Sequence, residues 1–306
     1  MTRSRTELVA LGALLAMTAA WGSTFFLIKD LVTRIGVADM LALRFAIASA
    51  ALALLAGRRL RLNRSVLRRG AVLGLLYGVA QILQTVGLSL TSASVSGFIT
   101  GLYVVLTPLL GALLFRSRVD RATWLATVLA TVGLGVLSLQ GWSVGSGELL
   151  TFASAAVYAV HILVMSRYTD PGSALGLSLV QLVVITAVCT LAALWPDADG
   201  QVGIALPSGT GDWLRLLYLA VIAGALTMVL QTWAQAHLEP ARAAVVMSME
   251  PVWAAVFAVA LGGERITLRM VVGGLAIVAA MYLVELAPRR RDPVRLPPAS
   301  DVDRVP

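Results

Sequence analysis

Charged side chains are scarce in this chain of 306 residues. Asp, Glu, Lys and Arg together make up 13% of the sequence, whereas hydrophobic residues make up 58%. A soluble domain has roughly 25% charged and 45–50% apolar residues. The scarcity of charge therefore excludes an ordinary soluble domain. The mean hydropathy of +0.86 indicates a chain that lies largely in lipid.

Several chemistry-bearing features are missing as well. Cys189 is the only cysteine, so a disulfide framework is excluded and we expect this thiol to be a packing residue. The sequence has no Walker motif and no HExxH, which excludes direct ATP drive and argues against an enzyme. We expect no catalytic residues, no cofactor and no metal site. No ring of charges or filter-like loop indicates a channel.

What the sequence has instead is apolar segments of membrane-spanning length. A bilayer-spanning helix needs about 20 mostly apolar residues, and ten runs approach or exceed that length. The sequence thus predicts an all-α polytopic membrane protein with ten transmembrane helices, the first of which is not a cleaved signal peptide. The runs cover residues 8–28, 37–56, 70–90, 95–115, 122–140, 148–167, 173–195, 213–236, 242–262 and 268–287.

The basic residues lie unevenly between these runs. With the N-terminus in the cytoplasm, eighteen of the 24 Lys and Arg residues fall on the cytoplasmic side and five on the opposite side. The positive-inside rule then places both termini in the cytoplasm. The net charge of +8 is therefore a topology signal, and we expect no nucleic-acid partner. The basic segment 57–69 is expected to touch anionic membrane lipid.

The sequence also repeats itself at an offset of 147 residues. LQT at 83–85 recurs at 230–232, and a Gly-rich junction, GWSVGSG at 141–147, separates five runs from five more. Because five is odd, the second half must be inserted upside down relative to the first, as is typical of secondary transporters. The sequence predicts repeats over 1–141 and 147–287. A disordered cytoplasmic tail is predicted over 288–306.

Three segments carry a specific resemblance. They are WGSTFFLIK at 21–29, SGFITGLYVVLTPLLGALLF at 96–115 and EPVWAAVFAVALGGERIT at 250–267. In this order and spacing they resemble the EamA-type transporters of the drug/metabolite transporter superfamily, over nearly the whole chain. The resemblance implies ten helices in two inverted halves, cytoplasmic ends, and export of small metabolites or drugs. The stretch ALGGERI departs from the family pattern, which more often has a bulkier residue before Gly-Glu.

Polar and aromatic side chains recur at helical spacing on six predicted helices, the first, third, fourth, sixth, eighth and ninth. In lipid such side chains face the bundle interior or a water-filled cavity, and these helices occupy matching places in the two halves. The amides could instead hydrogen-bond a neighbouring helix, and the aromatic residues could be interface anchors. The expected cavity residues are Trp21, Thr24, Tyr77, Gln81, Gln84, Tyr103, Tyr158, His161, Gln231, Gln235, Met247, Glu250 and Trp253.

Glu250 is the only charge in the apolar run from Ala243 to Gly262. It lies about 12 Å along the helix from Arg242 at 1.5 Å per residue, near the midplane of a core about 30 Å thick. We expect Glu250 to face the cavity and to orient the substrate or couple its transport. Protons are the expected coupling ion.

Prolines are predicted to break two helices. Pro251 cannot donate a backbone hydrogen bond to the Met247 carbonyl, and Pro108 lies inside the fourth run. Proline-interrupted helices in both halves indicate the binding region of a transporter. At the repeat offset the counterpart of Glu250 is Tyr103, so only the second half carries the carboxylate.

Three further ionisable residues have two interpretations each. His161 is either a proton carrier, since imidazole titrates near neutral pH, or a hydrogen-bonded structural residue. Lys29 either snorkels to the interface or holds the outer end of a pathway. For Arg44, within the second run, we expect a snorkelling side chain or a carboxylate partner on another helix rather than substrate contact.

The sequence as a whole predicts a multi-pass protein of a bacterial inner membrane. We expect a secondary transporter that exports amino-acid-like or drug-like metabolites by alternating access, with membrane lipid and the small-molecule substrate as its partners. A channel or an uncoupled facilitator is the alternative, and a membrane-embedded enzyme is the least supported class. The pairs Gly74/Gly78 and Gly97/Gly101 fit close helix packing or dimerisation, so either a monomer or a homodimer is compatible with the sequence.

Overall fold

The computed structural model of the chain describes residues 5–57, 60, 62–115, 121–140, 143–169, 172–194, 204–235, 237–238, 246–247 and 249–286. Only the backbone is described for residues 115, 123, 137–140, 143–144, 166, 235 and 284–286. The tail predicted to be disordered, 288–306, lies outside these residues, as does the side chain of Gln235.

Helices form almost everywhere in the described chain, where the apolar runs predict them. Three begin with a side-chain cap: Asn63 accepts from the Val66 amide at 2.8 Å, Ser92 from the Val95 amide at 3.2 Å and Thr267 from the Met270 amide at 3.2 Å. The helices are α1 Arg5–Leu31, α2 Val37–Ala56, α3 Arg64–Leu90, α4 Ala93–Gly101, α5 Tyr103–Phe115, α6 Arg121–Ser138, α7 Ser146–Tyr168, α8 Ala174–Ala193, α9 Thr210–Leu217, a π-helical segment Tyr218–Leu226, α10 Thr227–Gln235, α11 Glu250–Ala260 and α12 Leu268–Leu286.

The outer surface of these helices is apolar. Seven helical segments of the described chain are long and apolar enough to cross a membrane, and three shorter apolar helices accompany them. Large side chains such as Leu54 and Leu268 are 83% and 79% exposed. A continuous apolar surface of this kind is suited to lipid and would be a liability in water. The chain is a multi-pass integral membrane protein.

One feature departs from the all-α prediction. At the Gly-rich junction, Leu139–Gln140 (β1) and Ser143–Val144 (β2) form an antiparallel ribbon, with Leu139 opposite Val144 and Gln140 opposite Ser143. The ribbon joins α6 to α7, the last helix of the first half to the first helix of the second.

The two halves interlock rather than forming separate bundles. In the first half, α1 packs on α11 of the second, and α3 packs on α7 and α8. The equivalent helices of the other half make the matching contacts. The α7 helix of the second half packs on α4 and α5 of the first. In the same way, α10 packs on α1, and the π-helical segment packs on α2. The pairs α2–α8 and α6–α12 each join helices at equivalent positions of the two repeats. The pair α4–α11 joins a segment of the fourth apolar run of one half to a segment of the fourth run of the other. The bundle core is therefore itself the interface between the repeats.

Glycines allow the backbones to approach closely at the α3–α8 contact. A Cβ added at Gly74 would lie 2.7 Å from Val184 Cβ and 2.8 Å from the Gln181 carbonyl oxygen, and one at Gly78 would lie 3.2 Å from Val188 Cβ. The Gly74/Gly78 pair thus packs within the chain.

A second close contact brings α1 and α4 against α11. A Cβ added at Gly22 of α1 would overlap Trp253 Cβ and lie 2.8 Å from the Ala254 nitrogen. One added at Gly97 of α4 would lie 2.5 Å from Ala254 Cβ, and one at Gly101 would lie 3.0 Å from the Pro251 ring. Both GxxxG pairs therefore serve helix packing inside this chain.

The predicted proline breaks are not where the helices are interrupted. The α5 helix continues through Pro108, and the interruption of the fourth run is a turn at Leu102, directly after Gly101. Pro251 does not interrupt the interior of a helix, because it lies in the first turn of α11. The first helical turn leaves its amides without intrahelical acceptors, so a residue without an N–H fits there.

Because α1 packs closely on α11, we predict that a methyl group added at Gly22 destabilises the fold, whereas one added at Gly12 does not. Gly22→Ala is expected to destabilise the fold by about 1–3 kcal/mol through overpacking. We expect a lower thermal unfolding midpoint in detergent. Gly12→Ala, in the same helix, is the matched control, because a Cβ there meets nothing within 4 Å. Equal midpoints for the two variants would contradict this contact.

Candidate functional site

A cavity lies between the two halves. It has about 520 Å³ of empty space with its mouth included, and its enclosed part holds on the order of three water molecules. Sites for small molecules are concave and have a few convergent polar groups. The cavity is lined by Trp21, Thr24, Phe25, Arg44, Tyr77, Gln81, Gln84, Thr100, Tyr103, Tyr158, His161, Ile162, Gln231, Met247 and Glu250.

Two symmetry-related residues meet at this cavity. Tyr103 is the first residue of α5 and Glu250 the first of α11, and the repeat offset of 147 relates them. The Tyr103 hydroxyl lies 3.1 Å from Glu250 Oε2 and 3.4 Å from the Met247 carbonyl oxygen. The Tyr103 hydroxyl thus faces two acceptors: the Glu250 carboxylate and the Met247 carbonyl, to which Pro251 cannot donate a hydrogen bond.

Glu250 is buried, with 5% of its surface exposed. Its position at the N-terminus of α11 favours the anion, because the first-turn amides and the helix dipole present positive charge there. Among the described residues it has no cation within salt-bridge distance. The carboxylate is therefore held in a low-dielectric site by a helix end and one tyrosine.

An amide and hydroxyl network covers one wall of the cavity. The Tyr158 hydroxyl accepts from Gln81 Nε2 at 2.5 Å and donates to Gln84 Oε1 at 3.1 Å. Gln84 Nε2 in turn donates to Thr100 Oγ1 at 3.0 Å. The network joins α3 and α4 to α7, so these amides both bond neighbouring helices and line the cavity. The two interpretations left open by the sequence are therefore compatible.

Arg44 differs from its prediction. It neither snorkels outward nor meets a carboxylate within the described chain, and only 3% of its surface is exposed. Its Nε donates to the Leu219 carbonyl at 3.1 Å and its Nη2 lies 3.5 Å from the Ala223 carbonyl. Both carbonyls belong to the π-helical segment, which provides acceptors that a sequence scan for carboxylates could not find.

Aromatic rings adjoin Arg44 on the same side of the cavity. The guanidinium carbon lies 5.1 Å from the centre of the Phe45 ring, and Phe45 meets Tyr77 edge-on. Tyr77 also contacts Tyr158 and His161, with ring centres 5.4 and 5.3 Å apart. The cavity thus has an aromatic surface next to its buried cation.

His161 has a structural hydrogen-bond partner. Its Nε2 lies 2.9 Å from Gln181 Oε1, and the imidazole is 1% exposed. Gln181 comes from α8, one of the helices that the sequence left without a polar stripe. The contact fits the structural interpretation of His161, although the residue also lines the cavity.

Two cavity amides carry acceptors without partners. Gln81 Oε1 and Gln231 Oε1 are buried and form no hydrogen bond with the described residues. Buried acceptors are normally satisfied, and leaving one unpaired costs about 1–3 kcal/mol. Opposite them, Trp21 is held by a 2.9 Å hydrogen bond from its Nε1 to Thr227. The unpaired oxygens make the cavity an acceptor-rich site.

The structure places one predicted residue, Trp253, away from this cavity, and it does not describe the side chain of another, Gln235. Trp253 packs instead on Gly22 and against the Phe257 ring, with 6.1 Å between ring centres. Gln235 ends α10, and its side chain lies outside the described residues. The sequence analysis missed Phe25, Ile162 and Arg44 as lining residues.

A polar cluster at one end of the bundle joins the halves. Lys29 Nζ donates to the carbonyls of Leu88 and Thr91 at 3.2 and 2.5 Å, at the C-terminal end of α3. Glu264 accepts from the Ala93 amide at 2.6 Å and from the Ser94 hydroxyl, at the start of α4. Gly263, with φ of 72°, turns the chain so that Glu264 reaches α4.

The same end carries an ion cluster. Arg34 bonds Asp30 at 2.6 Å and Asp212 at 2.9 Å, and Arg215 approaches both carboxylates. Hydrogen bonds to Asp30 and Asp212 raise the pKa of Arg34 above its ordinary value. Because Arg34 and Arg215 are 38% and 42% exposed, each pair contributes at most about 1 kcal/mol. Asp212 nonetheless ties the second half to the end of α1.

Comparison with known families decides the identity of the fold. The sequence pattern of the EamA-like transporter family matches the chain twice, over residues 8–139 and 145–286. The chain belongs to the EamA-like transporter family. The resemblance predicted from the three segments is thereby confirmed, and the tandem matches show the two-repeat architecture.

Relatives of this EamA-like transporter are also named as transporters. An "Uncharacterized transporter" of Archaeoglobus fulgidus is 30% identical over 218 residues, covering 70% of this chain and 68% of the relative. The "Uncharacterized inner membrane transporter YedA" of Escherichia coli is 27% identical over 292 residues, covering 93% of each. A crystal structure with 19% identity superposes with a TM-score of 0.63 over 92% of this chain and 96% of its own, and supports the fold.

The amide network predicts that removal of the Tyr158 hydroxyl lowers the stability of the fold. Tyr158→Phe would remove the hydroxyl that accepts from Gln81 Nε2 and donates to Gln84 Oε1, and would leave these two groups only their 3.4 Å contact with each other. We expect the EamA-like transporter to lose about 1–3 kcal/mol of stability, measured as a lower thermal midpoint in detergent. Tyr282→Phe is the matched control, because its hydroxyl meets only the Met249 sulfur, a weak acceptor. Similar losses for both variants would sink the prediction.

Proposed function

We propose that this chain is a secondary transporter that exports small amino-acid-like or drug-like metabolites by alternating access through the cavity. The observation that carries the proposal is the meeting of Tyr103 and Glu250 at the cavity. Each begins a half-helix at a repeat-equivalent position, and interrupted helices at a repeat interface are typical of transporter binding sites. The name transporter on the relatives is consistent with this conclusion.

The membrane orientation belongs to the same proposal. With both termini in the cytoplasm, the halves have opposite orientations, as an odd number of crossings per repeat requires. The polar cluster around Lys29 and Glu264 then lies at the outer end. We infer that its contacts hold the outer end closed and must separate when the cavity opens there. The interlocked repeats supply surfaces that can rock against each other.

Transport by alternating access is tested in reconstituted vesicles. A metabolite-export screen of cells that overproduce the chain, against cells with an empty vector, first identifies an exported solute. Purified protein in vesicles is then expected to show saturable flux of that solute and to accelerate exchange against unlabelled solute inside. A conductance that does not saturate would favour the channel instead. Absence of flux and exchange would refute transport of the solute.

We further propose that Glu250 couples transport to protons. It is the carboxylate lining the cavity, and a group that gains and loses a proton there would change its contact with Tyr103. Efflux by the native protein is expected to change several-fold with an imposed pH gradient, whereas efflux by Glu250→Gln is expected to be insensitive to it. Asp39→Asn is the matched control, because Asp39 is outside the cavity lining.

Two outcomes would contradict proton coupling through Glu250. If native protein and Glu250→Gln respond identically to the gradient, another group carries the proton. If neither responds while both exchange solute, the chain is an uncoupled facilitator. The control Asp39→Asn should keep the native response; if it loses the response together with Glu250→Gln, loss of a carboxylate outside the cavity also disturbs coupling.

A further inference from the structure

The cavity has a buried cation on one wall and a buried carboxylate on another. We propose that Arg44 is an anion-binding group of the cavity. Together with Glu250 it makes a site for a compact zwitterion, a solute with one anionic oxygen group and one cationic nitrogen. This inference rests on the proposed transport function and narrows its substrate class.

The guanidinium of Arg44 is held in place but not saturated. Nε and Nη2 are directed at two carbonyls of the π-helical segment, Leu219 and Ala223. The remaining nitrogen, Nη1, donates to no group in the part of the chain that the structure describes. A guanidinium has five N–H donors in a rigid fork that matches a carboxylate or phosphate. Fixed along one edge, Arg44 keeps donors for a ligand.

The two cavity charges do not neutralise each other. Within the described chain Arg44 has no carboxylate within salt-bridge distance and Glu250 has no cation. A charge in the membrane interior is costly and is normally paired or placed on a pathway. A solute that carries both charges would satisfy both side chains at once, whereas an anion or a cation alone would satisfy one.

The surroundings of Glu250 suit a solute that donates hydrogen bonds. Gln81 Oε1 and Gln231 Oε1 are acceptors without partners in buried residues that line the same cavity. An ammonium group has three donors and no acceptor. Glu250 offers such a group a carboxylate acceptor, and the two amides that belong to the same lining each carry an unsatisfied oxygen.

The wall beside Arg44 favours an apolar body between the charged ends. Tyr77 and Tyr158 line the cavity and meet edge-on, and behind this lining Tyr77 meets Phe45, whose ring lies beside the guanidinium. Aromatic faces and edges pack well on apolar groups and on one another. The limited enclosed space fits a solute of a few heavy atoms more readily than a large drug.

The experiment compares matched ligands on the purified full-length protein in detergent. The probes are two zwitterions with different charge separations, leucine and γ-aminobutyrate, each with its N-acetyl derivative, which lacks the cation, and its methyl ester, which lacks the anion. Affinity is measured by titration calorimetry and by ligand-dependent thermal unfolding. For at least one set the native protein is expected to bind the zwitterion at least about tenfold more tightly than either derivative, as loss of a charged contact implies.

Variants then assign each charge to its residue. Arg44→Gln is expected to abolish the preference over the methyl ester and to keep the preference over the N-acetyl form. Glu250→Gln is expected to do the reverse. Arg44→Lys keeps the charge but not the fork, and should retain a reduced preference if its thermal midpoint shows a folded protein. The comparison of zwitterion and derivatives on the native protein tests by itself whether both charges are required. That test remains even if a variant does not fold.

The outcomes separate this inference from transport itself. Equal binding of zwitterion and ester, an unchanged preference in a folded Arg44→Gln, or no zwitterion binding at millimolar concentration would each overturn the role of Arg44. Exchange in vesicles of singly charged solutes alone would support transport and overturn the zwitterion site. The expected binding pattern without any flux would support the site and refute transport.

Discussion

The hydrogen bond between Tyr103 and Glu250 is the contact on which the centre of the bundle depends. A buried carboxylate needs partners, and here Glu250 begins a helix and accepts a hydrogen bond from one hydroxyl. Both come from positions that the internal repeat makes equivalent. The two half-helices α5 and α11 therefore begin at the same place, one from each half, and the first residue of each lines the cavity.

That arrangement requires backbones to come very close together. Gly22 and Gly97 bring α1 and α4 against Ala254 of α11, and Gly101 lies under Pro251. Helices in lipid gain little from hydrophobic burial against one another, so close packing of small residues and interhelical hydrogen bonds must supply the association. The chain uses both: glycine contacts surround α11, while the Gln81–Tyr158 hydrogen bond joins α3 to α7.

Function and packing share the same side chains in this cavity. The amides that bond across helices also face the empty space, and Arg44 anchors the π-helical segment while lining the cavity. π-helical turns often occur at functional sites, because the altered register changes where carbonyls and side chains point. The sequence placed Tyr77, Gln81 and Gln84 on one face from their spacing alone. It could not place Trp253, whose direction depends on the gap left by Gly22.

The sequence by itself determined the membrane class, the apolar runs, the repeat and most of the cavity residues. Hydropathy and helical periodicity are local properties, so they can be read from the sequence without knowing which helices pack together. Only the tertiary structure decided that α4 ends at Leu102 and α5 continues through Pro108. It also decided that Arg44 bonds carbonyls and that Tyr103 meets Glu250. These features depend on backbone geometry and on contacts between residues over a hundred positions apart, which no local pattern encodes.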